Sequence, residues 1–252
     1  MSTLASPEDE MRRLIAEASQ QSIVLRLLGG LAVKVHAPHA THRGLERTYP
    51  DIDFVTDRSS AKKLLTFLPT MGYTPNKTFN TLSGDHRQLW YDEARGRQID
   101  IFIGNFTMCH ALPLADRLNV EPLTIPLAEL FLTKAQIVQL NRKDVLDLLA
   151  LLLDHPVAPG DNETINVDLI AGLCARDWGL YTTVSLNCQK VLDFLAQGSV
   201  ELDEGQTQTV RQRLATLQAA MDQAPKTMGW KARAKVGKRV RWYDEVEEVQ
   251  RK

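Results

Sequence analysis

Apolar residues recur along the chain at two different spacings. Up to about residue 124, short apolar runs stand between turn signals, with the every-other-residue alternation of strands. From about residue 125 onward, Leu, Ala, Gln, Lys and Asp dominate, and the apolar positions return at helical spacing. The change predicts an α/β core over residues 1–124 and a helical domain with a basic C-terminal tail over 125–252. No internal repeat or low-complexity segment interrupts either half.

Within the first half, the pattern predicts a helix over 7–19. Ser6 suits the N-cap, Pro7 the first helical position, and the acids of the first turn the helix dipole. Residues 23–28 read as a buried strand that stops at Gly29-Gly30. A second helix follows the glycines, with Leu31, Ala32 and Val35 inward, and Pro38 ends it. Residues 39–50 read as a polar loop, 52–56 as a strand, and 60–71 as a helix with Leu64, Leu65 and Leu68 on its apolar face. Residues 88–91 and 98–103 read as two strands of a hairpin, turning through Glu93, Ala94, Arg95 and Gly96. The second half predicts helices over 126–140, 144–154, 167–175, 180–196 and 204–224, while 236–246 fits helix and strand equally.

Composition narrows the setting. At 252 residues the chain suffices for a catalytic domain and a helical one. A net charge of −1 supplies no general attraction to phosphate, so a nucleic-acid contact needs a local patch. Three cysteines at no metal-ligand spacing suit reduced thiols that act as packing residues. The first residues carry acids where a secretion signal carries bases, and the longest apolar stretch, 145–153, is broken by Asp147 and is too short for a bilayer. The expectation is a cytoplasmic protein with no membrane partner.

The candidate chemistry begins at Asp51-Ile52-Asp53. Strand side chains two apart share a face, so Asp51 and Asp53 present neighbouring carboxylates while Ile52 and Phe54 enter the core. Such a pair repels unless a hard cation offsets it, and magnesium prefers oxygen ligands. Alone, the motif reads first as a pair of solvated acids at a strand start. Gly29-Gly30 adds context: at a strand–helix junction, free backbone N–H groups favour phosphate. Asp100 adds more, because an aspartate inside the apolar run Gln98–Ile103 is costly to bury without a partner. If its strand lies beside the Asp51–Asp53 strand, the three acids form one site.

Together, LLGG at 27–30, PDIDFV at 50–55 and QIDIFI at 98–103 resemble the nucleotidyltransferase superfamily over residues 20–105. The gap between glycines and aspartates is longer than in compact members. That gap and LTKAQIVQLNRKDVLDLLALL at 132–152 look more like the AbiEii and MenT branch of nucleotidyltransferase-like toxins. The resemblance implies a small mixed sheet flanked by helices and a helical second domain. It implies Asp51, Asp53 and Asp100 as catalytic magnesium ligands, Gly29 and Gly30 near the phosphates, Lys134 on the triphosphate, and Asp144 or Asp147 orienting it. It also implies an NTP such as ATP as donor, an RNA acceptor such as tRNA, and an antitoxin protein as partner.

Arg43 and Arg47, before the aspartates, suit either phosphate or solvent. His36, His39 and His42 recur every third residue, but Pro38 breaks the helix that would align them for zinc. His86 and Arg87, at the start of the strand before Asp100, suit either the cleft or a structural role, and the structural role is the expectation. The segment 226–241 holds seven bases and no acid, with Trp230 inside and Trp242-Tyr243 after it. It reads as an RNA-binding tail, or as a tail whose aromatics dock on the helical domain and whose bases meet Asp244, Glu245, Glu247 and Glu248. Two other functions compete: transfer to a small hydroxylated molecule of antibiotic type, and a non-catalytic member that binds nucleotide or a partner protein.

Overall fold

The structure, a computed structural model, describes residues 2–37 and 44–245. The architecture is α/β, with ten α-helices and a five-stranded mixed sheet among the described residues. The chain forms two compact units: residues 1–36, 47–106 and 112–126 in the first, and 37–46, 107–111 and 127–252 in the second.

In the first unit, α1 (Pro7–Gln20) starts as its sequence predicts, with the Ser6 hydroxyl accepting from the Asp9 N–H. Then come β1 (Arg26–Leu28), α2 (Gly29–His36), β2 (Ile52–Thr56), α3 (Arg58–Thr70), β3 (Thr74–Pro75), α4 (Lys77–Ser83), β4 (Arg87–Asp92) and β5 (Arg97–Ile103). The sheet order is β1-β2-β5-β4-β3. β2 and β5 run parallel, and the other neighbours are antiparallel. The predicted hairpin is β4–β5, joined through 93–96.

Several expectations change in detail. β1 is shorter than the 23–28 run because Val24 finds side-chain partners instead of a ladder. Its N–H donates to the Ser60 hydroxyl, and its carbonyl accepts from the Thr56 hydroxyl. Val33 is buried on α2 where Val35 was expected, and Leu65 on α3 is 51% exposed. The inward stripe of α3 is Leu64, Phe67 and Leu68, since a residue next to Leu64 lies about 100° around the helix. Helix α4, unanticipated, buries none of its residues. It is held by Asn76, which caps Phe79, and by Asn80, whose amide bonds both the N–H and the carbonyl of Leu89.

Alternation sorts the sheet into two faces. Ile52, Phe54, Trp90, Ile99 and Ile101 lie on one and are all buried. Gln88, on that face, donates to the Ala61 carbonyl of α3 at 3.3 Å. Asp53, Asp100 and Arg87 belong to the other face.

The second unit contains α5 (Leu127–Ala135), α6 (Arg142–Asp154), β8 (Val157–Ala158), β9 (Ile165–Asn166), α7 (Val167–Arg176), α8 (Trp178–Ala196), α9 (Glu204–Gln223) and α10 (Met228–Val236). Strands β6 (Asn105–Thr107) and β7 (Ala111–Pro113) make a separate ribbon. Helix α5 stops short of the expected residue 140. The buried Asn187 amide donates to the Ala135 and Ile137 carbonyls at 2.8 and 2.7 Å, which a continuing helix would have used itself. Helix α10 lies inside the basic segment, begins at a Thr227 cap and ends at Gly237 with φ +61°. No helix among the described residues is long and apolar enough to cross a membrane.

Glu10 is fully buried in the first unit. It accepts from Arg13 Nη2 at 2.7 Å, Tyr73 Oη at 2.7 Å and the Leu4 N–H at 3.0 Å. Burial pushes its carboxyl up, but these donors more than offset that and hold it below its ordinary value. A depressed folded value means stability that is complete above the unfolded carboxylate range, near pH 4.5, and lost as pH falls through the folded value. Denaturant titrations from pH 7 to 3 should show this loss, with a shallower slope in Glu10→Gln. At pH 7, Glu10→Ala should cost about 3 kcal/mol, because it strands Arg13 and Tyr73.

Candidate functional site

Strands β2 and β5 pair in register, with Asp53 directly beside Asp100. Side chains at paired positions share a face, so the two carboxylates lie on neighbouring strands on the same side. Asp51 stands one residue before β2 and two before Asp53. The condition set by the sequence, that the Asp100 strand lie beside the Asp51–Asp53 strand, is therefore met.

A fourth charged residue joins them. In the β4–β5 hairpin Leu89 pairs with Asp100 and Arg87 with Phe102, which sets Arg87 diagonally across from Asp100 on the same face. Arg87 Nε donates to Asp100 Oδ1 at 2.8 Å, and Nη2 donates to Oδ2, a two-point ion pair. The two side chains are only 21% and 8% exposed. The guanidinium lies 4.9 Å from the centre of the Phe102 ring and 5.9 Å from that of Phe79. Burial pushes the Asp100 carboxyl up, against the pull of Arg87, and the charge of Asp51 adds to the rise. Arg87 thus lies beside the candidate carboxylates and pairs with one of them. The signal was readable in principle: a turn over 93–96 fixes the hairpin register, and the register puts Arg87 and Asp100 on one face.

The glycine pair lies against the same residues. Gly29 has φ +75°, and a Cβ there would stand 2.1 Å from Asp53 Oδ2. A Cβ on Gly30 would stand 1.9 Å from Arg47 Nη2. Both glycines are buried, and the Arg47 guanidinium lies 4.5 Å from the Tyr49 ring centre. Absence of side chains at 29 and 30 therefore lets Asp53 and Arg47 approach the start of α2. Arg43, His39 and His42 lie outside the described residues.

In the second unit, Lys134 on α5 meets Asp144 and Asp147 of α6. Its ammonium is 2.9 Å from Asp147 Oδ2 and 3.6 Å from Asp144 Oδ1. Asp144 and Asp147 are one turn apart, so one lysine reaches both. The Asp147 side chain is 2% exposed, which makes the lysine its charge partner in a desolvated place.

The remaining candidates have local partners. His36 Nε2 is 2.6 Å from the Thr124 hydroxyl, and exposed His86 pairs with Asp85. In the C-terminal segment, Trp230 stands edge-on to Tyr181 with centroids 5.5 Å apart, and Trp242 edge-on to Trp178 at 6.3 Å. Trp242 Nε1 donates to the Thr183 hydroxyl at 3.0 Å. The aromatics therefore dock on the helices. Among the bases, Arg241 pairs with Glu245 at 2.8 Å, while Arg233 packs on Trp178 and donates to the Gly237 and Val240 carbonyls. Lys231, Lys235, Lys238 and Arg239 are exposed. Glu247 and Glu248 lie outside the described residues. Cys109, Cys174 and Cys188 are buried, and burial pushes the Cys188 thiol up to about 12, far from a reactive thiolate.

Three carboxylates on one sheet face form a hard-oxygen donor set suited to magnesium, and the bare Gly29 leaves Asp53 room beside the main chain. The donor chemistry therefore fits the cation that the sequence pattern implies. No family model matches the chain, and no curated protein matches it.

Two stability measurements test this geometry. Gly29→Ala and Gly96→Ala both put a side chain at positive φ, but nothing lies within 4 Å of a Cβ at Gly96. Gly96→Ala should cost about 1 kcal/mol in chemical denaturation, and Gly29→Ala clearly more, because Asp53 must move. Lys134→Met should cost about 3 kcal/mol at neutral pH, since it leaves Asp147 buried without its cation.

Proposed function

We propose that the chain is a magnesium-dependent nucleotidyltransferase that moves a nucleoside monophosphate from an NTP to an acceptor hydroxyl, with RNA as the acceptor. The observation that carries this reading is the in-register pairing of Asp53 with Asp100, with Asp51 two residues upstream. Asp51, Asp53 and Asp100 would hold the metal. When bound, magnesium offsets the carboxylate charge and stabilises charge on the phosphates. The acceptor oxygen forms a bond to the α-phosphorus, the bond from that phosphorus to the bridging oxygen breaks, and pyrophosphate leaves. Asp100, fixed on a central strand beside Asp53, is the candidate to take the hydroxyl proton. Arg47, at the start of α2, is a candidate phosphate contact.

Exposed Lys231, Lys235, Lys238 and Arg239 support an RNA acceptor over a cationic small molecule, because exposed bases attract a phosphate backbone. The docked tryptophans point to backbone recognition rather than base stacking. One observation favours a second reading, a non-catalytic nucleotide binder: Arg87 already holds both oxygens of Asp100.

Incubation with each labelled NTP, magnesium and total RNA, beside Asp51→Ala/Asp53→Ala, separates the two. Label in RNA with the wild type, reduced at least about a hundredfold in the variant, is the expected result. Magnesium-dependent NTP binding with no label in RNA, protein or small molecules would leave the binding reading in its place.

A further inference from the structure

The Arg87–Asp100 pair raises a specific chemical question. An aspartate in a metal-binding cluster needs its oxygens for the metal, yet each oxygen of Asp100 already accepts a charged N–H from Arg87. The guanidinium is held between the Phe102 and Phe79 rings, largely away from water. A desolvated guanidinium requires an anion, and its planar fork fits phosphate as well as it fits carboxylate. Its electrostatic neighbours are the site's own acids: Arg87 feels Asp53 as well as Asp100, and Asp100 feels Asp51.

We propose that Arg87 is a specificity-determining residue of the carboxylate site that exchanges partners. In the free protein it holds Asp100, and in the complex with a metal-bound polyphosphate it releases Asp100 to the cluster and pairs with the polyphosphate. The inference rests on the reading of Asp51, Asp53 and Asp100 as a metal site. The exchange leaves neither Arg87 nor Asp100 without a counter-charge in either state. With Arg87 on Asp100, the cluster carries one negative charge less than when the guanidinium turns away, and so attracts a cation more weakly. A metal alone therefore competes with Arg87 for Asp100, whereas a metal arriving with polyphosphate supplies Arg87 with its replacement anion. The site thereby favours the metal–polyphosphate complex over the bare metal.

An ion pair serving only to fasten the hairpin would behave differently, and the sign of two binding changes separates the two roles. Calorimetric titration of magnesium alone, and of inorganic tripolyphosphate at saturating magnesium, is made with the wild type, Arg87→Gln and Arg87→Lys. Arg87→Gln should bind magnesium alone about tenfold tighter and tripolyphosphate about tenfold weaker, within the usual range for coupled sites. Arg87→Lys keeps the charge but loses the fork, and should move both affinities in the same two directions by less. The gain in magnesium affinity should vanish in Arg87→Gln/Asp100→Asn. Two affinities that move together, or do not move, overturn the exchange. Circular dichroism checks that each variant folds, and if Arg87→Gln does not, the signs measured on Arg87→Lys decide. A wild type that binds neither magnesium nor tripolyphosphate overturns the metal-site reading itself. A wild type that binds both, with unchanged Arg87 variants, overturns only the role of Arg87.

Discussion

Like charges on neighbouring strands of one sheet face repel, and that repulsion must be offset wherever the strands are held in register. The β2–β5 pairing sets Asp53 beside Asp100, with Asp51 close by. Arg87, brought in by the β4–β5 hairpin, offsets part of that charge. Much of the first unit follows from this constraint. Asp53 requires a position at the start of α2 with no side chain, which Gly29 provides at a positive φ. The other sheet face, apolar apart from the bonded Gln88, supplies the packing that keeps the register from slipping, since a slip of one residue would turn the acids into the core.

Among the described residues, Glu10, Asp100 and Asp147 are each buried against a base, and the surroundings distinguish them. Glu10 is surrounded by donors from Arg13, Tyr73 and the Leu4 backbone, which satisfy it completely and leave it a fastening for α1. Asp100 has one base and feels the charge of Asp51 as well. Lys134 likewise stands between two acids a turn apart, one cation against two anions. A satisfied cluster stabilises, while an unbalanced one retains affinity for an ion of opposite sign. The distinction is electrostatic, and it separates Glu10 from the other two without reference to any relative.

The C-terminal segment shows how packing redirects a motif. Bases interleaved with tryptophans suit single-stranded nucleic acid when the rings are open to bases. Here Trp230 and Trp242 pack edge-on against Tyr181 and Trp178, and Trp242 also bonds Thr183. What stays exposed is charge on α10 and the turn after it. Exposed charge of this kind suits contact with phosphate rather than with base edges.

Most of this architecture is local and was legible in the chain. The cap at Ser6, the turn over 93–96, and the two hydrophobic periods each act over a few residues, so α1, α3, α6 to α9 and the hairpin follow from the sequence. The aspartate pattern was legible for the same reason, since alternation along a strand fixes which side chains share a face. Contacts between distant segments were not. The end of α5 depends on Asn187 from α8, the short β1 on Ser60 and Thr56, and α4 on Asn80 bonding to Leu89. The parallel pairing that makes Asp53 and Asp100 neighbours, the diagonal that joins Arg87 to Asp100, and the lysine shared by Asp144 and Asp147 belong with them. Sequence determines which faces are apolar and where elements begin; which faces meet is decided by burial and charge pairing summed over the folded chain, and no local window contains that sum.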